Sequence, residues 1–227
     1  MKLSIIMPVY NEEKTLLEIY NRVKNVNIGN IEKEIIIIND ASKDNSWKII
    51  ENIKDKNVIK LNHEKNLGKG GAIKTGLRYV TGDYVIIQDG DLEYNPEEYK
   101  KLLNEIKKYD IIYGSRIMGE IKGFNVPSHY FGNKILSLST TILYGKRITD
   151  METCYKLIKS SIIKNMRINS NRFDFEPEVT AKLLKSGYKI KEVPITYNCR
   201  TFEEGKKITW KDGVKALYVL LKYRFFN

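Results

Sequence analysis

Five short apolar runs lie in the first half of the chain, and none of them alternates apolar with polar positions. They are rich in isoleucine and valine and cover residues 3–9, 34–40, 58–63, 83–89 and 110–116. Strands of this kind are buried on both faces, as in a parallel sheet. The pattern therefore predicts five parallel strands.

The segments between these runs carry apolar residues at helical spacing. Strands that alternate with helices build a Rossmann-like α/β fold, in which helices flank a mostly parallel sheet. Ligands of such sheets bind at the carboxyl ends of the strands. Functional residues are therefore expected where the strands end. The helical positions are Leu16, Ile19, Tyr20 and Val23, then Trp47, Ile50 and Ile53, then Leu102, Leu103 and Ile106.

The second half of the chain has a mixed pattern. Residues 128–145 and 208–226 predict amphipathic helices, and residues 174–187 predict a helix that ends at Gly187. Residues 188–200 predict a further strand. This half is therefore expected to be α+β rather than strictly alternating.

Composition and organisation are those of a soluble globular protein. The 227 residues are 42% hydrophobic and 30% charged. Because no linker separates the halves, we expect a single domain over residues 1–227, divided between residues 116 and 117. No apolar run approaches the roughly 18 residues of a membrane-spanning helix, and the N-terminus lacks a signal-peptide pattern. We therefore predict a cytoplasmic protein.

Cysteine and histidine are scarce. Cys154 and Cys199 are too few for a disulfide framework or a zinc site, and His63 and His129 are the only histidines. A zinc enzyme or a histidine-based catalytic triad is therefore not expected.

The chain is strongly basic. Its formal net charge is +11, which implies an anionic partner such as nucleic acid, a phosphorylated metabolite or an acidic membrane surface. The basic residues are spread along the chain and form no nucleic-acid-binding motif. Nucleic acid is therefore not expected as a partner.

Two aspartates follow the fourth apolar run directly. Asp89 and Asp91 are separated only by Gly90, and in an extended chain residues i and i+2 point to the same side. Paired hard oxygen ligands suit Mg²⁺ or Mn²⁺ held together with a phosphate. The alternative is an ordinary turn, in which Asp and Gly are common. The position at the end of a buried strand favours the metal site.

Other polar residues also follow predicted strands. Tyr10 is placed to stack on a base, and Asp40 to accept a hydrogen bond from a ring N–H; helix capping is the alternative role of Asn11, Ser42 and Asp44.

The glycine-rich segment 66–76 matches neither the phosphate-loop nor the dinucleotide-binding pattern, because Ile73 stands where each requires glycine. Two roles remain open for it: a helix start that binds phosphate with Lys69, or close packing of the helix.

The chain as a whole resembles the family-2 glycosyltransferases of the GT-A fold, and among them the dolichyl-phosphate (polyprenyl-phosphate) sugar synthases. The resemblance covers nearly the whole chain. It is carried, in order, by the segments "MPVYNE", "IINDASKDNS", "NLGKGGAIKTG", "GDYVIIQDGDLEYNP", "YGSR", "TDMETCYKLIK", "FEPEVTAKLLKSGYKIKEVPITYNCR" and "EGKKITWKDG".

The resemblance implies transfer of a sugar, mannose or glucose, from a GDP- or UDP-sugar to a polyprenyl or dolichyl phosphate. The reaction would invert the anomeric centre and require Mg²⁺ or Mn²⁺. Residues 1–116 would bind the nucleotide sugar and residues 117–227 the acceptor. The implied metal ligands are Asp89, Asp91 and Glu93, although the family often has glutamine at the last of these positions.

The resemblance also assigns the remaining site residues. Arg116 would act with the two aspartates on the phosphates, and Lys134 and Asp150 would lie on the acceptor side. The donor nucleotide would be held by Pro8, Tyr10, Glu12, Asp40 and Gly90, and by Arg200, Lys206 and Lys207 as a loop that closes over the diphosphate.

A lipid phosphate is an anionic nucleophile near neutral pH, because its second pKa is about 6. It therefore needs no general base. The alternative is a saccharide acceptor, whose hydroxyl does need a base, with Asp150 or Glu152 as candidates. A lipid acceptor further implies peripheral membrane contact, through residues 128–145 and the last helix, or a membrane-protein partner. Packing of those helices on the core is the alternative.

Overall fold

A sheet of seven strands runs through the protein. The computed structural model describes residues 1–123, 127–200 and 210–226. Across the sheet the strand order is β3-β2-β1-β4-β6-β5-β7, and among these strands β6 alone runs antiparallel to its neighbours. The strands are β1 (Lys2–Val9), β2 (Glu32–Asn39), β3 (Val58–Asn62), β4 (Tyr84–Ile87), β5 (Ile111–Gly123), β6 (Lys156–Lys159) and β7 (Lys191–Cys199).

Helices cover the sheet, and the predicted apolar faces point inward. On the first helix the four predicted positions are all buried. The helices are α1 (Leu16–Asn25), α2 (Ser46–Asn52), α3 (Lys69–Leu77), α4 (Tyr99–Leu103), α5 (Pro127–Tyr144), α6 (Ser160–Lys164), α7 (Phe175–Lys185) and α8 (Trp210–Phe225). The predicted α/β class, with a mostly parallel sheet, is confirmed.

The fourth strand ends earlier than its apolar run predicts. β4 stops at Ile87, although the Gln88 amide still donates to the Ile6 carbonyl at 2.9 Å. The Gln88 side chain then turns inward, where its oxygen accepts from the Tyr99 and Tyr155 hydroxyls at 2.7 Å each. The two aspartates that follow therefore lie in the loop after β4, and their predicted orientation to the same side stays a prediction.

The fifth strand is longer than predicted, and the sixth was not predicted. β5 continues to Gly123, with an irregularity in its pairing with β7 between Ser115 and Glu120. The predicted division between residues 116 and 117 lies inside β5 and stays a prediction. β6 is only four residues long and begins with a buried lysine, Lys156, so its sequence gives no clear strand pattern.

The end of α7 has the geometry that its sequence predicts. Gly187 has a φ of 81°, and its amide donates to the Leu184 carbonyl at 3.1 Å, while the Tyr188 amide donates to Leu183 at 3.1 Å. This pair of bonds is a Schellman motif, which requires the left-handed conformation that glycine adopts without strain.

The last helix has two apolar faces. Val219, Leu220 and Tyr223 are buried in a cluster that α8 shares with α5 and α7, and the Tyr144 hydroxyl donates to the Leu220 carbonyl at 2.7 Å. The opposite face is exposed, with Trp210 75% accessible. Core packing therefore accounts for only one face of this helix. Within the residues described, none of the helices combines the length and the apolarity needed to cross a bilayer.

Candidate active site

The loops after β1 and β2 are tied together at the carboxyl edge of the sheet. The Asn11 amide donates to the Ser42 hydroxyl at 3.0 Å, and the Lys43 amide donates to the Asn11 side chain at 2.7 Å. The Glu13 amide donates to Asp44 at 3.0 Å. Asn11, Ser42 and Asp44 thus join two loops. They fix the backbone on which the predicted nucleoside-binding residues lie.

Asp40 holds the start of α3. It follows β2, is 2% exposed, and its carboxylate accepts from the Leu67 amide at 2.8 Å and the Gly68 amide at 2.7 Å. The His63 Nδ1 lies 2.8 Å from the same carboxylate. Asp40 is thus a structural link between β2 and α3, and its predicted contact with a base stays a prediction.

Pro8 and Tyr10 lie at the end of β1, as predicted. β4 pairs with β1 only as far as Ile6, so Pro8 lies beyond that pairing, where its missing N–H disturbs the sheet least. Both residues are partly exposed at the edge that the neighbouring loops share. Their nucleoside contacts stay predictions.

Glycines at the start of α3 allow this helix to pack closely against the loop at Asn171. Gly68 has a φ of 84°, and a side chain on it would collide with the Asn171 carbonyl oxygen and the Arg172 side chain. The Gly71 amide donates to the same Asn171 carbonyl at 2.9 Å. Of the two roles left open by the sequence, the structure supports close packing.

Asp89 is paired with Lys69, the first residue of α3. The Lys69 Nζ lies 2.8 Å from Asp89 Oδ1 and 3.1 Å from Glu176 Oε1. Although burial favours the neutral acid, the lysine charge holds the pKa of Asp89 below its ordinary value. Lys69 therefore joins the predicted metal ligand to α7.

Asp91 is more deeply buried and is paired with Arg200. It is 5% exposed, and its Oδ2 lies 2.8 Å from a guanidinium nitrogen of Arg200. The same guanidinium lies 3.1 Å from Glu12, and Glu93 accepts from the Arg200 backbone amide at 3.1 Å. Burial and the charges of Glu93 and Asp89 raise the pKa of Asp91 to about 8. We call Glu12, Asp89, Asp91 and Glu93 the acidic corner.

Gly90 packs against the end of β1. A Cβ there would lie 3.4 Å from Val9 and 3.5 Å from Glu12, which is ordinary van der Waals contact. The Gly90 carbonyl accepts from the Thr15 hydroxyl at 2.9 Å. Neither packing nor backbone geometry demands glycine here, and the predicted contact of Gly90 with the donor nucleotide stays a prediction.

Arg116 and Asp150 form a bidentate ion pair beside the acidic corner. Arg116 Nε lies 2.7 Å and its terminal nitrogen 2.8 Å from the two Asp150 oxygens, and Asn133 of α5 adds a bond of 2.9 Å. The guanidinium carbon lies 5.1 Å from the centre of the Tyr197 ring, and the amide of the residue that follows Tyr197 donates to the Glu93 carbonyl at 2.8 Å. This part of β7 thus lies against both Arg116 and the acidic corner.

The pKa values of Asp150 and Glu152, the two candidate bases, are shifted in opposite directions. Although burial opposes ionisation, Arg116 holds the pKa of Asp150 below its ordinary value. Burial and the nearby Glu176 carboxylate raise the pKa of Glu152 to about 8. One buried oxygen of Glu152 and one of Glu176 have no hydrogen-bond partner. Glu152 is therefore the better placed of the two to exchange a proton near neutral pH.

The remaining predicted residues lie apart from these contacts or outside the described chain. Lys134 is exposed on α5, and its ammonium lies 4.6 Å from the Tyr130 ring centre. Lys206 and Lys207 lie outside the described residues. Sequence reasoning missed Glu176 and Asn133, each of which lies in an ordinary helical segment where no local pattern sets it apart.

The carboxylates of the acidic corner are suitable ligands for a hard divalent cation, but they do not form a complete metal site by themselves. Its members offer only carboxylate oxygens, the ligands that Mg²⁺ and Mn²⁺ prefer. Among the residues that the structure describes, no group of three or more His, Cys, Asp or Glu side chains is arranged to hold an ion unaided. Such an ion would need further oxygens, and the phosphates of a ligand are suitable ones.

Two curated relatives align with nearly the whole chain. A dolichol-phosphate mannosyltransferase of Pyrococcus furiosus is 30% identical over 98% of this chain, which spans 64% of that protein. A UDP-N-acetylglucosamine–dolichyl-phosphate N-acetylglucosaminyltransferase of Methanococcus voltae is 30% identical over 96% of this chain and 94% of its own length.

A solved structure and a family model complete the comparison. Glucosyl-3-phosphoglycerate synthase from Mycobacterium tuberculosis, solved with Mn²⁺, UDP and glucosyl-3-phosphoglycerate, superposes with a TM-score of 0.72 at 14% identity. The match covers 100% of this chain and 81% of that one, which confirms the GT-A fold. Residues 4–167 match the model for glycosyl transferase family 2. The chain therefore belongs to glycosyl transferase family 2.

Proposed function

We propose that this domain transfers a sugar, mannose or glucose, from a GDP- or UDP-sugar to a polyprenyl or dolichyl phosphate, with inversion of the anomeric centre. The observation that carries the proposal is the meeting of the acidic corner with Arg116 and Arg200 at one edge of the sheet. Carboxylates and guanidinium groups together suit a reaction between two phosphorylated substrates.

The donor would lie across the carboxyl edge of β1, β2 and β4. Pro8, Tyr10 and Asp40 would contact the nucleoside, and Glu12 and Gly90 would border the diphosphate. Arg200, with Lys206 and Lys207, would close over the phosphates. The loop contacts described above hold these positions in place, so little rearrangement of the first loops is needed.

Asp89 and Asp91, with Glu93, would hold Mg²⁺ or Mn²⁺ together with the donor diphosphate. When bound, the ion would supply positive charge that stabilises the leaving nucleoside diphosphate. Arg116 and Arg200 would add positive charge at the same phosphates. In the relative solved with Mn²⁺ and UDP the two ligands occur together, which supports this part of the proposal.

The acceptor phosphate would approach from the side of Arg116 and Asp150. Asp150 orients the Arg116 guanidinium through two bonds, so that its remaining N–H groups would point at the acceptor, and Lys134 would add charge at the entrance. A phosphate anion attacks without losing a proton, so no side chain is required as a base. The names of the two relatives, both dolichyl-phosphate enzymes, support a lipid phosphate.

A lipid acceptor requires contact with a membrane, and one surface suits it. We call it the α5–α8 apolar surface. Its members are 40% to 75% exposed, and lysines and an arginine lie beside them on α8. Aromatic and aliphatic side chains bordered by basic ones favour an anionic bilayer. The members are Phe131, Ile135, Leu138 and Ile142 on α5 and Trp210, Val214, Tyr218, Leu221 and Phe225 on α8.

The direct test is transfer of radiolabelled sugar into organic solvent. The purified protein is incubated with Mn²⁺, a short polyprenyl phosphate and GDP-mannose, UDP-glucose or UDP-N-acetylglucosamine in turn. We expect one donor to label the lipid phase and Asp91→Asn to abolish the transfer. The exposed variant Glu97→Gln is the control and should keep full activity. Absence of lipid labelling with every donor would contradict the proposal.

Glu152 supports a second candidate, transfer to a saccharide hydroxyl. Its pKa of about 8 and its unpartnered oxygen suit a group that takes up a proton. For a saccharide acceptor, Glu152→Gln should lower turnover at least about a hundredfold, the usual contribution of a general base. For a lipid phosphate the loss should be small. The same variant therefore separates the two functions.

A further inference from the structure

Arg200 places its positive charge beside the carboxylates of the acidic corner, where the proposed metal ion would also bind. Its guanidinium is within 2.8 Å of Asp91 and 3.1 Å of Glu12, and its side chain is only 16% exposed. Glu93 anchors the Arg200 backbone amide at 3.1 Å. An arginine therefore balances part of the acidic corner's charge.

Lys69, the second cation at this corner, is held more firmly. It starts α3 and bridges Asp89 and Glu176, so its partners lie on two separate elements that the fold already joins. Arg200 follows the end of β7, and its carboxylate partners among the described residues belong to the acidic corner itself. Of the two cations, Arg200 is the one that can leave by rotating its side chain.

A guanidinium and a divalent cation that bind the same carboxylates repel each other at short range. Each therefore weakens the binding of the other. The diphosphate of a donor changes this balance, since it offers a guanidinium two phosphates with the geometry that arginine prefers. Arrival of the diphosphate therefore gives Arg200 a new partner and frees Asp91 and Glu12.

We propose that Arg200 is a built-in counter-ion that competes with the divalent cation in the donor-free enzyme and moves onto the donor diphosphate when metal and nucleotide bind together. The inference rests on the proposed function, because it assumes a metal-bound nucleotide donor. Its consequence is coupling: the metal binds weakly alone and strongly with nucleotide, and Arg200 sets the size of the difference.

The test measures Mn²⁺ binding by the loss of the electron paramagnetic resonance signal of the free ion, with and without GDP or UDP. Arg200→Gln should bind Mn²⁺ alone roughly tenfold more tightly than the wild type, within the usual range of coupled binding. The extra affinity gained on adding nucleotide should shrink by a similar factor. Arg200→Lys, which keeps the charge but not the planar fork, should lie between the two.

Arg22→Gln is the matched control, because it removes the same charge from an exposed pair with Glu18 and should behave as the wild type. If Arg200→Gln and Arg22→Gln bind Mn²⁺ alone equally, the competition proposed for Arg200 is wrong, while the proposed function stands. If the wild type binds no Mn²⁺ even with either nucleotide, the proposed function fails together with this inference.

Discussion

At the scale of one residue, Lys69 shows how buried charges contribute to the stability of the site. Its ammonium lies between Asp89 and Glu176 and is 15% exposed. Lys69→Met would leave two carboxylates without their partner, and breaking a buried pair in this way typically costs about 3–5 kcal/mol. We expect a loss of about 3 kcal/mol in the free energy of unfolding, measured by urea titration.

Lys100→Met is the comparison for this prediction. Lys100 pairs with Glu97 through side chains that are 49% and 56% exposed, and such pairs contribute roughly 0–1 kcal/mol. Equal losses for the two variants would show that the Lys69 bridge contributes no more than a surface pair.

Individual site residues differ in how well the sequence predicts them. Asp89 and Asp91 stand out because a buried apolar run leads directly into them. Arg200 pairs with Asp91 across more than a hundred residues of chain, and no local pattern reveals such a partner. Glu176 looks like an ordinary acidic residue in the first turn of a helix. Its contact with Lys69 appears only when α3 and α7 pack.

At the scale of the element, the start of α3 depends on glycine for two separate reasons. Gly68 has a positive φ, and a side chain on it would collide with the loop at Asn171. Gly29 also has a positive φ, 71°, but no atom lies within 4 Å of its missing Cβ. We expect Gly29→Ala to cost about 1 kcal/mol for the backbone alone, and Gly68→Ala at least about 2 kcal/mol because overpacking adds to it. Thermal unfolding measures both. Equal costs would contradict the packing role of Gly68.

The α5–α8 apolar surface gives the second prediction at this scale. Ile135 and Ile142 are 60% and 72% exposed, so replacing both by Glu should leave the fold intact. Burying one isoleucine contributes about 1.5–3 kcal/mol, so we expect binding to phosphatidylglycerol vesicles to fall at least about tenfold in co-sedimentation.

The matched control for this prediction carries Leu17→Glu and Tyr79→Glu. These residues are 53% and 44% exposed on α1 and after α3, and the pair adds the same charge elsewhere. Equal vesicle binding by the two double variants would contradict the membrane role of the surface. Lack of binding by the wild type would instead favour a membrane-protein partner.

At the scale of the whole molecule, most of the sheet could be predicted from the sequence. The exception is β6, where the local sequence pattern and the tertiary structure disagree. Continuous isoleucine and valine runs identify five strands, because burial on both faces needs no alternation. β6 was not predicted because its first residue is a lysine. That lysine is stabilised only inside the fold, where the Met151 and Thr153 carbonyls accept hydrogen bonds from its ammonium. Burial lowers the pKa of Lys156 to about 8. When a residue can be buried in a strand only because of tertiary contacts, the local sequence pattern does not predict that strand.

Two carboxylates remote from the acidic corner make the stability of the whole molecule depend on pH. Glu34 joins β2 to Lys2, at 2.8 Å, and to the Thr81 amide, at 2.7 Å. Glu178 accepts from the Ser170 amide at 2.6 Å and from the Tyr223 hydroxyl at 2.8 Å, and so joins α7 to α8. Although burial opposes ionisation, hydrogen bonds lower the pKa of each to about 2, with Lys2 the largest lowering contributor for Glu34 and Lys182 for Glu178.

A lowered pKa in the folded state stabilises the fold above the unfolded-state value, here about 4.3, and this contribution is lost as the pH falls towards 2. At pH 7 we expect Glu178→Gln to lower the free energy of unfolding by about 2 kcal/mol, the usual contribution of hydrogen bonds to a charged group. At pH 3 the wild type should have lost much of this advantage, so the two urea midpoints should approach each other. Glu97→Gln, whose side chain is 56% exposed, should differ little from the wild type at either pH. A gap for Glu178→Gln that stays constant from pH 7 to pH 3 would mean that the ionised carboxylate is not what joins the two helices.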